Sequence, residues 1–245
     1  MTLPPSPPLA LPAHVRQQCY ADAETASAAL ARRVALALDA ALRARGTASL
    51  VVSGGRSPEV FLHTLSQQPL DWSHVIISLA DERCVPATHA DSNAGMLQRT
   101  LLQGEAAHAR FITLYDGEPT AEAALAPCLR RLTALPQTLD VVVLGMGEDG
   151  HTASLFPGSA ALPGLLDASA PRVGAVHPAL APHARISLSL PALLDSRLIL
   201  LPIAGRNKRA VIEQACAEGD AMRMPVAGIL LQHDTPVEVL HAACD

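Results

Sequence analysis

Apolar residues recur at helical spacing over residues 21–45 (Leu30, Val34, Leu38, Leu42), and Gly46 supplies a stop signal, so this segment predicts an amphipathic helix. Residues 48–52 form a short apolar run that ends in Ser53-Gly54-Gly55, the pattern of a buried strand entering a glycine turn. Ser57-Pro58 then opens a helix, with Ser57 suited to the cap and Pro58 to the first helical position. A second buried strand is expected at 75–80, before the charged cluster Asp81-Glu82-Arg83, and helices at 92–102 and 120–135. The strongest strand pattern is 139–144, where four branched aliphatics follow Asp140 and stop at Gly145. Residues 145–178 read mainly as loop. Further strands are expected at 173–176, 185–190 and 198–203, a helix at 207–217 and a last strand at 237–240. Strands alternate with helices and several are apolar on both faces. That predicts an α/β fold, a single doubly wound, mostly parallel sheet with helices on both faces. In such sheets ligands bind beyond the carboxyl ends of the strands, where the polar motifs of this chain fall.

Residues 1–12 hold five prolines and no Lys or Arg, so they lack the basic region of a secretory signal. They predict a disordered Pro-rich tail over 1–16, ahead of one α/β domain over 17–245. The 245 residues suffice for a proper core, and with 49% apolar but only 2% aromatic residues it must be built from Ala, Leu, Val and Ile. A formal charge of −5 argues against nucleic-acid partners, which need a basic footprint. No apolar run approaches the ~18 residues of a membrane-spanning helix. The five cysteines are scattered, with no CxxC pair, which predicts reduced thiols and a cytoplasmic location.

Candidate chemistry lies in the strand-end motifs. In Ser53-Gly54-Gly55-Arg56-Ser57-Pro58, backbone N–H groups and a helix N-terminus can receive an anion, although the same residues also suit an ordinary strand-to-helix turn. No Walker lysine is present. Asp81 and Arg83 stand at the next strand end, followed by His89, Ser92 and Asn93. Gly145, Gly147 and Gly150 match a GxGxxG dinucleotide fingerprint literally, but Pro157-Gly158 follows where a helix should run, and the expected acid about 20 residues on is missing. What remains is a tight loop that presents Asp149 and His151. Histidine is the side chain suited to take and return a proton near neutral pH. Arg185 begins an apolar strand, while Arg206 and Lys208 stand at a helix start, where cations oppose the helix dipole unless an anion is near. Several cations at the strand ends of an acidic chain point to a small anionic ligand such as a sugar phosphate. No HExxH or GxSxG motif occurs.

In this order the motifs resemble the 6-phosphogluconolactonase family of the pentose phosphate pathway. The likeness rests on Ser53-Gly54-Gly55-x-Ser57-Pro58, on Asp81-Glu82-Arg83-x-Val85-Pro86 with Ser92-Asn93, and on the stretch from Gly145 to Gly158, and it spans residues 53–208. It implies a Rossmann-like fold that hydrolyses 6-phospho-D-glucono-1,5-lactone without metal or cofactor. His151 would be the base that activates water, with Asp149 as the candidate to orient it. Ser53, Gly54, Gly55, Arg56, Ser57, Asp81, Arg83, Arg185 and Lys208 are the expected substrate-binding residues. The expected partner is the small sugar-phosphate lactone, with no nucleic acid and no membrane, and the expected form is a monomer or weak homo-oligomer. The chain departs from the family pattern at Arg56, where a smaller residue is usual, and in 177–183, which lacks the Lys-Pro-Pro of many relatives.

Glucosamine-6-phosphate deaminases resemble the same fold and share the glycine turn and the Asp-Gly-His loop. They carry an acid soon after the histidine, in Ile-Ala-Phe-Asn-Glu-Pro, whereas this chain has Thr152-Ala153-Ser154-Leu155-Phe156-Pro157. A non-catalytic sugar-phosphate sensor would need an attached DNA-binding module, for which the chain has neither length nor basic charge. The lactonase reading is the one the residues favour.

Overall fold

A computed structural model describes residues 8–55, 58–179 and 181–243. In chain order the elements are β1 (Arg16–Tyr20), α1 (Ala23–Arg45), β2 (Ala48–Val52), α2 (Glu59–Ser66), β3 (Val75–Leu79), β4 (Asp81–Arg83), α3 (Asn93–Thr100), β5 (Arg110–Ile112), α4 (Ala121–Leu132), β6 (Val141–Val143), α5 (Leu162–Leu166), β7 (Val173–Val176), β8 (Arg185–Leu188), α6 (Leu190–Leu194), β9 (Ile199–Ala204), α7 (Gly205–Glu218), α8 (Val226–Leu230) and β10 (Val237–Ala242). Seven strands make one parallel sheet in the order β1-β10-β9-β6-β2-β3-β5. Every residue of β2, β6 and β10 is buried. Successive side chains of a strand point to opposite faces, so both faces of this sheet are covered.

From β2 the chain winds outward to β3 and β5, then returns to β6 on the other side of β2 and winds outward again to β9 and β10. The crevice between the carboxyl ends of β2 and β6 is therefore the topological switch point of the sheet. The amino ends of the same two strands are fastened by Asp140. Its Oδ2 accepts the Ser49 amide at 2.8 Å and the Ser49 hydroxyl at 3.0 Å, and Arg45 closes an ion pair on its other oxygen. At the carboxyl ends the Ser53 amide donates to the Val143 carbonyl at 2.8 Å, which carries the pairing into the glycine turn.

A second sheet, β4-β8-β7, is small and antiparallel. It corrects two expectations. Asp81-Glu82-Arg83, read as a charged cluster beyond a strand end, is itself a three-residue strand too short to show any periodicity, and the strands predicted at 173–176 and 185–190 belong here, outside the parallel sheet. Ala80 is the joint between the sheets, since its amide donates to Val52 O at 2.9 Å and its carbonyl accepts the Leu188 amide at 2.8 Å.

Helix ends follow the local chemistry. Asp22, Ser92 and Thr120 cap α1, α3 and α4 through their side chains, and Gly46 ends α1 at φ 74°. α2 begins one residue later than predicted, with Pro58 at the cap position and no side-chain cap; Ser57 lies outside the described residues.

The proline-rich tail predicted over 1–16 also needs correction. Residues 1–7 are outside the described part, but 8–15 pack on the core, with Leu9 and Val15 buried. Leu9 and Gln17 exchange two hydrogen bonds, the Ala10 amide donates to Glu213, and Arg209 donates to the Pro8 carbonyl. A proline-rich segment has few N–H groups to satisfy, so it can lie along a surface and still bury its leucine. Among the described residues no helix is long and apolar enough to cross a membrane.

Candidate active site

β6 ends at Val143, and the chain turns through a loop that forms no helix until Leu162. This settles the GxGxxG match against a dinucleotide site, which requires a helix there. The loop is closed on itself. The Gly147 amide donates to the His151 carbonyl at 2.8 Å, and Thr152 Oγ1 donates to the Gly145 carbonyl at 2.8 Å. Ala153 is held at φ 49°, in the left-handed region that disfavours residues with a Cβ and is tolerated where surrounding contacts over-determine it.

The product of this folding is a carboxylate–imidazole pair. Asp149 Oδ1 lies 2.5 Å from His151 Nδ1 and accepts the His151 amide at 3.1 Å. Burial works to raise the Asp149 pKa, but the His151 amide, the charge of the imidazole and its ring hydrogen bond outweigh it and hold the carboxyl below the usual carboxylate range. Gly147 makes the pair possible, because a Cβ there would fall 2.0 Å from His151 Nδ1 and 2.4 Å from Asp149 Oδ1. Phe156 packs against the imidazole with ring centroids 4.4 Å apart and also lies under Arg185, whose guanidinium carbon is 5.5 Å from its centroid.

Across the cavity the antiparallel pairing of β4 with β8 sets Arg83 directly opposite Arg185. Like charges placed so are unfavourable unless something negative joins them. Arg185 is only 7% exposed, and burial followed by the charge of Arg83 lowers its pKa. The partners of the two guanidiniums are few. Arg83 Nη1 donates to the Asp91 carbonyl, Arg185 Nη2 to the Pro182 carbonyl at 3.3 Å, and Asp81 Oδ2 stands 4.0 Å from Arg185. Arg83 Nε, Arg185 Nε and Ser53 Oγ are buried with no hydrogen-bond partner in the protein. Three unsatisfied donors around two cations are the arrangement a phosphate completes.

Glu82, between the two charged neighbours, serves the scaffold. It is buried and accepts the amides of Arg83, Asn93 and Ala94 and the Ser92 hydroxyl, so its carboxylate seats the N-terminus of α3. Burial raises its pKa despite these bonds. Asp81 accepts the Ser154 hydroxyl at 2.6 Å, and its carbonyl accepts Asn93 Nδ2 at 2.8 Å. Asn93 in turn fills the space over Gly54, where a Cβ would lie 1.8 Å from the Asn93 Oδ1. Lys208, in the first turn of α7, donates to the Met146 carbonyl at 2.6 Å and so reaches the loop that carries His151.

One cavity of about 550 Å³ joins these groups. Ser53, Gly54, Gly55, Asp81, Arg83, His151, Arg185 and Lys208 all line it. A family model described as glucosamine-6-phosphate isomerases/6-phosphogluconolactonase matches residues 21–238.

The chain belongs to this family.

Among its relatives in the glucosamine-6-phosphate isomerase/6-phosphogluconolactonase family, a 6-phosphogluconolactonase of Pseudomonas putida is 47% identical over 234 residues, covering 94% of each chain. That of Pseudomonas aeruginosa is 48% identical over 224 residues, 91% of this chain and 94% of the relative. The crystal structure of a 6-phosphogluconolactonase from Shewanella baltica superposes with a TM-score of 0.92 at 41% identity, over 95% of this chain and all of that one. A monomeric glucosamine-6-phosphate deaminase, 18% identical with a TM-score of 0.75, shares the fold.

Eight of the eleven residues singled out from sequence thus line one cavity, and Asp149 stands behind His151. Arg56 and Ser57 lie outside the described residues. Sequence reasoning missed Asn93, which lines the cavity, although it had noted the Ser-Asn step. It also missed Gly147 as the spacer for the His151–Asp149 pair and Phe156 as the ring shared by His151 and Arg185. The positional signal for Phe156 was present, since it stands in the stretch that distinguishes this chain from the deaminases.

Proposed function

We propose that the chain hydrolyses 6-phospho-D-glucono-1,5-lactone to 6-phospho-D-gluconate, with His151 as general base. The observation that carries this reading is the pairing of a His–Asp dyad with two opposed, under-satisfied guanidiniums in one cavity at the switch point of the sheet. Asp149 accepts the Nδ1 proton and so leaves Nε2 as the free base. A water molecule gives its proton to Nε2 as its oxygen attacks C1. The tetrahedral intermediate then collapses, the C1–O5 bond breaks, and the same proton passes from Nε2 to O5. Loop amides meet the charge that develops on the carbonyl oxygen. Arg83, Arg185 and Ser53 hold the phosphate, Lys208 and the glycine turn face the hydroxyls, and binding at that end positions C1 for attack. A δ-lactone is an activated ester, so a single base and an anion clamp are sufficient machinery.

Phe156 supports hydrolysis over deamination, because an aromatic ring packs on the imidazole from the stretch in which the deaminases carry their additional acid. The cysteines at 19, 84, 128 and 216 are free thiols, which supports a reducing, cytoplasmic setting.

The test is acid release from freshly generated lactone in a pH-stat, with the enzyme-free rate subtracted. Rapid release by the wild type and near-background release by His151→Ala is the expected result. Background rates from a folded wild type would overturn the assignment.

A further inference from the structure

Outside the dyad, a second cluster of metal-binding side chains stands where two loops meet. The loop from β4 to α3 carries His89 and Asp91, and the loop from β7 to β8 carries His183. One ligand atom from each lies within 4.8 Å of the others. His183 Nε2 is 3.1 Å from Asp91 Oδ2, and His89 Nδ1 is 3.9 Å from the same oxygen. The two imidazoles meet edge to face, 5.2 Å between centroids. His183 holds φ 67°, uncommon for a residue with a Cβ, in the turn that brings its ring to Asp91.

We propose that His89, Asp91 and His183 form a binding site for one divalent transition-metal ion, of the class Zn²⁺, Co²⁺ or Ni²⁺. Two imidazoles and one carboxylate are a borderline donor set, which suits these ions better than Mg²⁺ or Ca²⁺. With metal–nitrogen bonds of about 2.0–2.1 Å, a tetrahedral ion sets neighbouring ligand atoms about 3.4 Å apart. The 3.1 and 3.9 Å separations bracket that value, so shifts of a few tenths of an ångström, on the order of ordinary side-chain motion, close the two contacts to Asp91. Two features oppose the ion. The Asp91 amide donates to His89 Nδ1 at 3.1 Å and must release it, and the Arg83 guanidinium stands nearby. Three protein ligands leave a fourth position for water.

The place of the cluster matters to the cavity. Arg83 hangs on the Asp91 carbonyl and Arg185 on that of Pro182, next to His183. An ion bridging Asp91 and His183 therefore ties together the two loops on which both guanidiniums rest.

The test is a titration of tag-free, metal-stripped protein with Co²⁺, read by its visible d–d absorption, and with Zn²⁺ by calorimetry. Neither readout uses lactone turnover, so its outcome is separate from that of the proposed reaction. The His151–Asp149 pair is a competing imidazole–carboxylate site, so His151→Ala is run beside the wild type. One equivalent per chain is expected in both, with affinity falling about tenfold or more in His89→Ala and in His183→Ala. Both loops are at the surface, and either variant alone suffices if the other does not fold. Affinity unchanged in both loop variants, or binding lost only in His151→Ala, would overturn the site.

Discussion

Asp149 Oδ1 accepts both the ring nitrogen of His151 at 2.5 Å and its backbone amide at 3.1 Å. One oxygen thus fixes the imidazole's tautomer and its position relative to the loop. The His151→Ala variant is expected to lose about 10²–10⁴ in kcat, the usual range for a positioned general base. Asp149→Asn keeps the shape and loses the charge, and a fall of about 10–100-fold in kcat with little change in KM is expected. Asp149 also leaves a stability signature. Its folded pKa lies below its ordinary 3.8, so its contribution is present above that pH and is lost as pH falls through the folded value. Thermal unfolding of the wild type should therefore decline more steeply below pH ~4 than that of Asp149→Asn.

Gly147 is predicted to be irreplaceable for activity. An added Cβ would overlap both members of the dyad, at 2.0 and 2.4 Å, and one of them must move. A displacement of about 1 Å in a catalytic group costs on the order of 100-fold. Gly147→Ala should approach Asp149→Asn in kcat while circular dichroism shows an intact fold.

The contact between Gly54 and Asn93 can be separated by a double-mutant cycle. Gly54→Ala drives a methyl into the Asn93 amide, 1.8 Å from Oδ1, and overpacking of this kind costs about 1–3 kcal/mol. Asn93→Ala removes the obstacle, so the double variant should be more stable in urea than the sum of the single effects, with a coupling of about 0.5–3 kcal/mol. Strict additivity would mean that the turn moves instead of the amide.

These two glycines show what was and was not legible in the chain. Their presence in a strand-end turn could be read directly, because local patterning and turn chemistry are sequence properties. What each approaches could not be read, because Asn93 reaches Gly54 through tertiary folding and His151, four residues from Gly147, is brought over it by a closed loop with no periodic pattern. The same division runs through the fold. The helix of 23 residues and the buried strands β2, β3 and β9 were legible from period and apolar runs, within a residue or two at their ends. β4 and β5, three residues each, carry no period, and the packing of Leu9 beneath a proline-rich stretch depends on surfaces far along the chain. That Arg83 and Arg185 face one another follows from an antiparallel register that no spacing encodes.

Thiol reactivity should divide sharply. Cys19 is exposed on the edge strand β1, whereas burial pushes the thiols of Cys84 and Cys216 up to about 11 and that of Cys128 to about 12. The thiolate is the reactive form, so at pH 8 the last three should be nearly inert in the native state. With Cys19 and Cys244 both changed to Ser, labelling by an aromatic disulfide reagent should show no fast phase until denaturant is added. A fast phase in that variant would locate local opening around Cys84 or Cys216.

Arg185 sets binding against stability. It is buried opposite Arg83, with Nε unpaired, and stacks on Phe156. A charge-assisted hydrogen bond to the substrate phosphate contributes about 1.5–3 kcal/mol, so Arg185→Met should lower kcat/KM by about 10–150-fold, mainly through KM. The same change removes the buried member of the opposed guanidinium pair and fills the space with apolar volume, so the free protein should melt at the same temperature or higher. Inorganic phosphate should stabilise the wild type on heating and do so far less in the variant, since a ligand bound only to the folded state raises its melting temperature. Arg185→Lys keeps the charge but not the planar fork, and it should recover only part of the lost affinity. If Arg185→Met instead lowers the melting temperature sharply and leaves KM unchanged, Arg185 serves the fold through Asp81 and Phe156, and the phosphate is held by Arg83 without it.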